Sequence, residues 1–498
     1  MNLLLLSMPD SFEHLPALTI CMPNGALASL AGNIDPHHKV AIADLILVQR
    51  KVPETIRRLM AEHDPDIVGL SIMTFQRKTA LGVIDLVRSI KPTVQIVVGG
   101  YDPSLATDAY ADAGDGRVDF VVRGEGEVTF RELLRAIETQ APFDGIDGLS
   151  WRDGDSFRHN RPRGLSSLDS GEIRPPKRSA RVLPGYHIHG RQADVIETSR
   201  GCTFDCSFCS IIEMRGRNFY KFNIDRVLDD IRDAMAHGAR SIFIVDDNIT
   251  LNVKRFEALC QAIIDAGLNT IDYTIQGMTA TMANHGATLA PLMKKAGFRY
   301  VFLGIENVVD KDLDFFKASS KNTRRVDGKR AGNASLQAIR HIQKNRMYVV
   351  GGLIVGSPID RREDIETNLE FVRRYVDFPY IQHPTPYPGT PMTADLAARG
   401  LIVNPNLEEY DGTTAVVANQ HLPLEEIEYM RWRAERPMKM RHGWAVFWHD
   451  PRFFLDIGNR MIRFIYRGES WFSLFGLASK RKAFERYREI RRRERQYV

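Results

Sequence analysis

Two series of short β-branched runs alternate with helical segments, and this alternation limits the folds open to the chain. The first series occupies residues 1–140, and its apolar runs are NLLLLSM, VAIADLILV, IVGLSIM, VQIVVGG and VDFVVRG. Segments with helical periodicity, such as PNGALASLAG and PETIRRLMAEH, separate these runs. Alternation of this kind is typical of a parallel α/β sheet that binds ligands at the carboxyl ends of its strands. The pattern predicts a doubly wound sheet.

A second series begins near residue 191 and contains six units. Its predicted strands lie in ADVIETS, SIFIVDD, TIDYTIQG, YVFLGIE, YVVGGLIVGSP and YIQHPTPYPG. Six β/α units suggest an open, partial (β/α)6 TIM-type barrel over 191–395, with its chemistry on the loops after the strands. Residues 141–190 break the rhythm and are expected to form a linker, with a hairpin near Leu149–Arg158. Residues 396–498 are expected to form a helical, basic and aromatic region.

Length and composition exclude several classes of protein. A chain of 498 residues is too long for one ordinary core and predicts two or three domains. No apolar run approaches the length of a membrane span, and MNLLLLS is shorter than the apolar region of a signal peptide. The net charge of +5 does not by itself indicate nucleic acid binding. Five cysteines, three of them clustered, favour a reducing compartment, so we expect a cytoplasmic protein.

The clustered cysteines are Cys202, Cys206 and Cys209, directly after the first predicted barrel strand. A structural zinc site usually takes four protein ligands, whereas three thiolates can hold a catalytic zinc ion with one open position. Short cysteine runs also wrap iron–sulfur clusters. A [4Fe–4S] cluster held by three cysteines leaves one iron free to bind a small molecule. The spacing favours the cluster, with zinc as the alternative.

The stretch CTFDCSFC (202–209) resembles the signature of radical S-adenosylmethionine (radical SAM) enzymes, whose fold is a partial barrel. The resemblance implies that the three cysteines ligate a [4Fe–4S] cluster and that SAM binds its open iron. An electron from the cluster cleaves the sulfonium to methionine and a 5′-deoxyadenosyl radical, a reaction for which the cofactor supplies the chemistry. It also implies an external electron donor of the flavodoxin or ferredoxin type.

Further stretches match the same family in the correct order. FIVDDN, FLGIEN, GLIVGSP and TPYPGTPM follow the cysteines and end predicted barrel strands. The resemblance implies that five residues contact SAM: Phe208, Asp246, Glu306, Gly352 and Gly356. Asp246 and Asp247 can alternatively bind a metal. Arg215 and Arg217 are candidates for the SAM carboxylate or cofactor phosphates, or are surface residues.

The first series resembles a second known domain. VGLSIMTF, IVVGGYDPS and VDFVVRGEGEVTFRELL resemble the Rossmann-like cobalamin-binding domain of B12-dependent radical SAM enzymes, which holds the corrin over the SAM site. Seven residues are candidate cobalamin contacts: Ser71, Thr74, Gly99, Gly100, Tyr101, Gly124 and Glu125. Ordinary tight turns are the alternative for these glycines. His37 and His38 lack the glycine and the position of a cobalt-binding Asp-x-His-x-x-Gly motif, so both are expected to face solvent.

Together these resemblances imply an enzyme for cobalamin-dependent methyl transfer to an unactivated carbon of a small-molecule or lipid substrate. One alternative is a corrin-free radical SAM oxidoreductase, cyclase or ring-rearranging enzyme with a vestigial B12 domain. Another is a non-enzymatic iron–sulfur or zinc redox sensor. The tail contains Trp432, Trp444, Trp448 and Trp471. It is expected to be a helical cap on the barrel mouth with a solvated charged end, or a peripheral membrane surface. No nucleic acid partner is expected.

Overall fold

The computed structural model describes residues 1–12, 20–111, 116–154, 156–164, 168, 171–326, 329–449, 455, 479–493 and 495–498. The strands are β1 (Asn2–Ser7), β2 (Ile20–Cys21), β3 (Lys39–Asp44), β4 (Ile67–Ser71), β5 (Gln95–Gly99), β6 (Phe120–Val122), β7 (Leu149–Asp153), β8 (Ser156–His159), β9 (His187–Ile188), β10 (Arg191–Ile196), β11 (Ser199–Arg200), β12 (Tyr220–Lys221), β13 (Ser241–Ile244), β14 (Asp272–Gly277), β15 (Phe298–Glu306), β16 (Thr323–Val326), β17 (Lys329–Asn333), β18 (Tyr348–Ile354) and β19 (Phe378–Gln382).

The helices alternate with these strands through both series. They are α1 (Gly25–Asn33), α2 (Val52–His63), α3 (Arg77–Ile90), α4 (Tyr101–Leu105), α5 (Asp108–Ala111), α6 (Gly126–Thr139), α7 (Ser210–Arg215), α8 (Ile224–Ala236), α9 (Val253–Asp265), α10 (Thr279–Lys295), α11 (Asp310–Phe315), α12 (Ser335–Lys344), α13 (Arg362–Tyr375), α14 (Pro391–Ala398), α15 (Leu424–His449) and α16 (Lys480–Arg493). Among the described residues, no helix is both long enough and apolar enough to cross a membrane.

The first sheet has seven strands in the order β3-β1-β4-β5-β6-β7-β8. The strands from β3 to β6 are parallel, which confirms the doubly wound sheet predicted from the alternation. In β1, Leu4 and Leu6 face one apolar core while Leu3 and Leu5 face the other. This explains why NLLLLS is apolar at successive positions, because helices cover both faces of a parallel sheet. The strand order reverses between β1 and β4, where sheets of this kind bind ligands.

The hairpin expected near Leu149–Arg158 is present as β7 and β8, and β7 pairs with β6 in antiparallel register. The first sheet therefore continues beyond residue 140, while the division of the chain at residues 140, 190 and 395 stays a prediction. His37 is exposed as expected, but the expectation for His38 is wrong. Because Asn2 pairs with Lys39, the terminal amine of Met1 lies 3.1 Å from Nδ1 of His38 and the ring is buried.

The second sheet has eight strands in the order β19-β18-β15-β14-β13-β10-β9-β2. The six strands from β10 to β19 in this order are parallel, which confirms the open partial barrel. The short strands β9 and β2 extend the sheet in antiparallel register, and β2 comes from the segment that follows β1. The first sheet is thus connected to the edge of the barrel within the first 21 residues.

Helix α15 covers the open edge of the barrel. Its Glu435 accepts a hydrogen bond of 3.1 Å from the backbone N–H of Ile381 in edge strand β19, a donor that no neighbouring strand engages. Near the start of α15, Ile427 lies against Gly356 at the carboxyl end of the barrel. Near the end of α15, the ring centroid of His442 lies 5.4 Å from that of Phe378, at the amino end of the barrel. The predicted helical region therefore lies along the barrel edge as well as at the mouth.

The charged end of the tail is not fully solvated, contrary to the expectation. Arg491 in α16 is buried, forms an ion pair with Asp411 and donates a hydrogen bond of 2.7 Å to Thr413. Trp432 is buried beside Phe484, with 5.5 Å between ring centroids. Trp448 is 81% exposed. The side chain of Trp444 and all of Trp471 lie outside the described residues.

Arg178 joins the segment between the two sheets to the barrel. Its guanidinium is buried and pairs with Asp194 of β10 at 2.9 Å and with Asp230 of α8 at 2.6 Å. It also pairs with Asp233 of α8 at 2.8 Å. A buried cation with three carboxylate partners leaves uncompensated charge when it is removed. These ion pairs therefore fix the connecting segment to the barrel.

Replacing Arg178 with Met is expected to lower the free energy of unfolding by about 3–5 kcal/mol, since Asp194 and Asp230 lose a buried partner. Chemical denaturation followed by fluorescence measures this change. Arg158→Met is the matched control, because the Arg158–Asp153 pair is about half exposed and such pairs contribute at most about 1 kcal/mol. Equal losses in the two variants would contradict the assignment.

Candidate active site

The three clustered cysteines line one cavity at the carboxyl ends of the barrel strands. This cavity, here called the thiol cavity, has a volume of about 240 Å³. Cys202, Cys206 and Cys209 lie on the loop between β11 and α7. Burial raises the pKa of the Cys206 thiol, and it raises the pKa of the Cys209 thiol to about 12. Both thiols must lose their protons to ligate a metal, so metal binding here releases protons.

At least two of the three sulfur atoms lie farther apart than the ligands of one zinc ion. Tetrahedral zinc–thiolate bonds of about 2.3 Å bring ligand sulfurs to about 3.8 Å from one another. Within the described parts of the chain, the only His, Cys, Asp and Glu ligand atoms that lie in a group of three within 4.8 Å belong to His37, His38 and Glu138. At least one pair of the three thiols is therefore separated by more than 4.8 Å, which is wider than the ligands of one zinc ion.

Gly201 allows the loop to turn into the cavity. Its φ is +90°, and a Cβ at this position would lie 2.4 Å from the carbonyl oxygen of Asn218. Its N–H donates a hydrogen bond of 2.8 Å to the carboxylate of Asp247. Only glycine satisfies both the backbone conformation and the close approach.

The two aspartates after β13 have different roles. Asp246 is fully buried and accepts hydrogen bonds from the N–H and the hydroxyl of Thr198 and from the hydroxyl of Ser199. Burial raises the pKa of Asp246 to about 6, although these donors oppose the change. Asp246, the residue selected from the sequence, thus holds the end of β10 and does not line the thiol cavity. Its neighbour Asp247 does.

Glu306 reaches the thiol cavity through an irregularity in β15. The register with β18 shifts between Gly304 and Glu306, and Glu306 has a φ of +57°. Such bulges re-aim side chains and are common beside functional sites. The carboxylate pairs with Nζ of Lys321 at 2.5 Å. No sequence motif contains Lys321, which lies between α11 and β16, and only the fold brings it to the cavity.

The remaining SAM candidates divide into two groups. Phe208 and Gly352 line the thiol cavity. Gly356 does not line it; its N–H donates to Asp360 at 2.7 Å, and a Cβ there would lie 2.6 Å from Ile427. Arg215 and Arg217 are the candidates for the SAM carboxylate, and of these Arg217 is exposed.

Most of the Arg215 side chain is buried, and it contacts Asp247 in the wall of the thiol cavity. It pairs with Asp247 at 3.3 Å. Arg217, by contrast, pairs with Asp205 at the surface.

A larger cavity lies between the two sheets, at the switch point of the first sheet. It is here called the intersheet cavity, and its volume is about 430 Å³. Six of the seven cobalamin candidates line it: Ser71, Gly99, Gly100, Tyr101, Gly124 and Glu125. Thr74 is buried in the turn after β4 and is not among the lining residues. Burial raises the pKa of the Tyr101 hydroxyl, so it stays protonated.

The two cavities are adjacent. Asp247 lines both of them, and Arg200, two residues before the first cysteine, forms part of the wall of the intersheet cavity. Arg200 pairs with Glu127 of α6 at 2.6 Å and with Glu197 of the barrel at 2.8 Å. Burial works to raise the pKa of Glu127, but the Arg200 guanidinium outweighs it and lowers that pKa to about 2. A buried ion pair thus joins the first sheet to the cysteine loop.

Comparisons with known proteins agree with this geometry. The B12 binding domain family matches residues 21–134, and the Radical SAM superfamily matches residues 196–372. The chain is 29% identical over 419 residues to the uncharacterized methyltransferase PH0819 of Pyrococcus horikoshii, covering 83% of this chain and 86% of that one. It is 27% identical over 391 residues to the hopanoid C-3 methylase of Methylococcus capsulatus, covering 77% and 70%.

A solved structure has the same fold. The radical S-adenosylmethionine methyltransferase TsrM from Kitasatospora setae, with cobalamin and a [4Fe–4S] cluster bound, superposes with a TM-score of 0.66. The two chains are 16% identical, and the superposition covers 89% of each. At this identity the comparison supports the architecture of both domains.

The fold and the matched domains define a radical SAM enzyme. More particularly, the chain is a radical SAM enzyme with an N-terminal B12-binding domain, as the two resemblances imply. Its cofactors are a [4Fe–4S] cluster, SAM and cobalamin. The residues present fit these cofactors, because three thiols line one cavity and a glycine-lined cavity lies beside it.

Gly201→Ala is expected to reduce the iron bound per chain after anaerobic reconstitution. The positive φ alone costs about 1–3 kcal/mol for a residue with a side chain, and the contact with Asn218 adds to this. Gly267→Ala is the matched control, because Gly267 also has a positive φ, of +66°, but a Cβ there meets nothing within 4 Å. Iron content equal to wild type in Gly201→Ala would show that the close approach does not hold the loop.

Proposed function

We propose that the protein transfers a methyl group from cobalamin to an unactivated carbon of a small-molecule or lipid substrate. The observation that carries this proposal is the shared wall of the two cavities at Asp247. A methyl donor in one cavity and a radical generator in the other can act on one substrate only if the cavities adjoin. When bound, the cluster and SAM supply a 5′-deoxyadenosyl radical and the corrin supplies the methyl group.

The residues that would hold each cofactor follow from the cavity walls. Cys202, Cys206 and Cys209 are the proposed cluster ligands. Phe208, Glu306 and Gly352 are the proposed SAM contacts, and Asp247 is added to them from its position; the roles of Asp246 and Gly356 at SAM stay predictions. The proposed cobalamin contacts are the six candidates that line the intersheet cavity.

The chain's own residues also prepare the site for its chemistry. Asp247 accepts from the N–H of Gly201 and from Arg215, so it fixes the start of the cysteine loop relative to the barrel. Phe208 and Phe302 line the thiol cavity with apolar surface. Apolar walls limit the access of water, which protects a reactive intermediate.

The names of the relatives support a methyl transferase, since one is a hopanoid C-3 methylase and another a methyltransferase. The hopanoid enzyme favours a lipid within the proposed substrate class. Other similar proteins are named anaerobic magnesium-protoporphyrin IX monomethyl ester cyclases. Ring-forming radical chemistry is therefore the second candidate, and in the form expected from the sequence it does not use the corrin.

An external electron donor of the flavodoxin or ferredoxin type and a cytoplasmic location are part of the same proposal. Contact with the inner face of a membrane through the tail is a further part. Trp448, which is 81% exposed near the end of α15, supports it. Exposed tryptophans beside basic residues favour anionic interfaces.

Replacing Cys202, Cys206 or Cys209 singly with Ala is expected to abolish iron binding at the site and the formation of 5′-deoxyadenosine from SAM. Iron analysis after anaerobic reconstitution and chromatography of the reduced, SAM-treated protein measure both outcomes. Cys260→Ala is the control, because Cys260 is fully buried in the barrel core and lines neither cavity. Zinc in place of iron in the wild-type protein would favour a redox sensor.

Ala26→Trp separates methyl transfer from corrin-independent chemistry. Ala26 is exposed on α1 but lines the intersheet cavity, so an indole is expected to fill the cavity without disturbing a core. We expect at least tenfold less corrin per chain by absorbance, with iron content and 5′-deoxyadenosine formation retained. Ala26→Ser is the control.

The product is found by incubating the loaded enzyme with lipid and polar cell extracts and SAM carrying a deuterated methyl group. A deuterated product in wild type that disappears in Ala26→Trp supports methyl transfer. A product formed equally by both proteins, without deuterium, supports the corrin-independent candidate.

A further inference from the structure

A buried ammonium lies in the wall of the thiol cavity. Lys321 lies in the loop between α11 and β16 and lines the cavity together with the three cysteines. Its Nζ lies 2.5 Å from the Glu306 carboxylate. The Lys321 side chain is 20% exposed and that of Glu306 is 10% exposed.

The surrounding chain leaves room for this ion pair. A Cβ on Gly304 would lie 2.7 Å from a Glu306 carboxylate oxygen and 3.2 Å from Nζ of Lys321. Nζ also lies 5.7 Å from the ring centroid of Phe208, next to Cys209 in the sequence. Three features therefore accommodate Lys321. Gly304 has no side chain, β15 is irregular before Glu306, and the ring of Phe208 lies beside the ammonium.

The ammonium shares the thiol cavity with the three cysteines. Burial opposes the positive charge on Lys321, but the attraction of the Glu306 carboxylate outweighs burial and raises the pKa of the ammonium, so the charge is retained. Where solvent is largely excluded, such a charge acts strongly on any charge that forms in the same cavity.

We propose that Lys321 raises the reduction potential of the cluster held by Cys202, Cys206 and Cys209, and that Glu306 limits this effect. Reduction adds one electron, and therefore one negative charge, to the cluster. A nearby cation stabilises the reduced form, while a nearby carboxylate destabilises it. The proposal rests on the assignment of the three cysteines as cluster ligands.

The test compares Lys321→Met, Glu306→Gln and the double variant in the full chain, reconstituted anaerobically and without SAM. Titanium(III) citrate supplies the electron, and electron paramagnetic resonance measures the midpoint potential. Lys321→Met is expected to make reduction at least tenfold less favourable, which corresponds to about 59 mV for one electron. Glu306→Gln is expected to shift the midpoint upward, and the double variant should lie between the single variants.

Two controls separate the effect from a general structural change. Lys321→Arg keeps the charge and is expected to keep a midpoint close to wild type. Arg217→Met removes a cation from the segment between α7 and β12, beside Cys202, but Arg217 is 58% exposed, so solvent screens it and no shift is expected. Iron content measured alongside verifies that each variant holds the cluster.

A wild-type midpoint in a fully loaded Lys321→Met protein would overturn the proposal. If Lys321→Met loses iron, Glu306→Gln is the deciding variant. A midpoint potential of Glu306→Gln at or below that of wild type would then overturn the proposal. Failure of the wild-type chain to assemble a cluster would count against the cysteine assignment, and so against the proposed function.

Discussion

The ion pair between Arg200 and Glu127 is the contact on which the arrangement of the site depends. Arg200 directly precedes the glycine that turns the chain into the cysteine loop, and Glu127 belongs to the first turn of α6 in the other domain. The same guanidinium also pairs with Glu197 of the barrel. Loss of a partner would leave the buried Arg200 charge uncompensated, which is strongly destabilising. The orientation of the two sheets and the position of the cysteine loop are therefore linked.

This link explains why two cavities of different origin adjoin. The doubly wound sheet opens its switch point at the carboxyl ends of its strands, and the barrel presents its loops at the carboxyl ends of its own. Asp247 completes both walls. An enzyme that uses a corrin and a cluster on one substrate needs such an arrangement. The radical SAM enzyme with a B12-binding domain therefore follows from the packing of two standard folds.

Charge in the thiol cavity is balanced locally. The carboxylate of Glu306 faces the ammonium of Lys321, and Asp247 faces Arg215. Glu306 and Lys321 both line the cavity, whereas Arg215 belongs to the helix after the cysteine loop and Asp247 follows β13. Isolated charges at such depth are unstable, so each member explains the presence of the other. The pairs leave the cavity close to neutral before cofactors add their own charge.

The sequence by itself determined the two β/α series and the cysteine spacing, because periodicity and ligand spacing are local properties of the chain. The resemblance to radical SAM enzymes implied that Phe208, Glu306 and Gly352 share one site, and all three line the thiol cavity. Only the tertiary structure decided that Asp247, and not its neighbour, faces the cavities, since the direction of each side chain depends on which donors surround it. Lys321 joined the site for the same reason: a loop without a motif acquires its partner only when the barrel brings distant residues together.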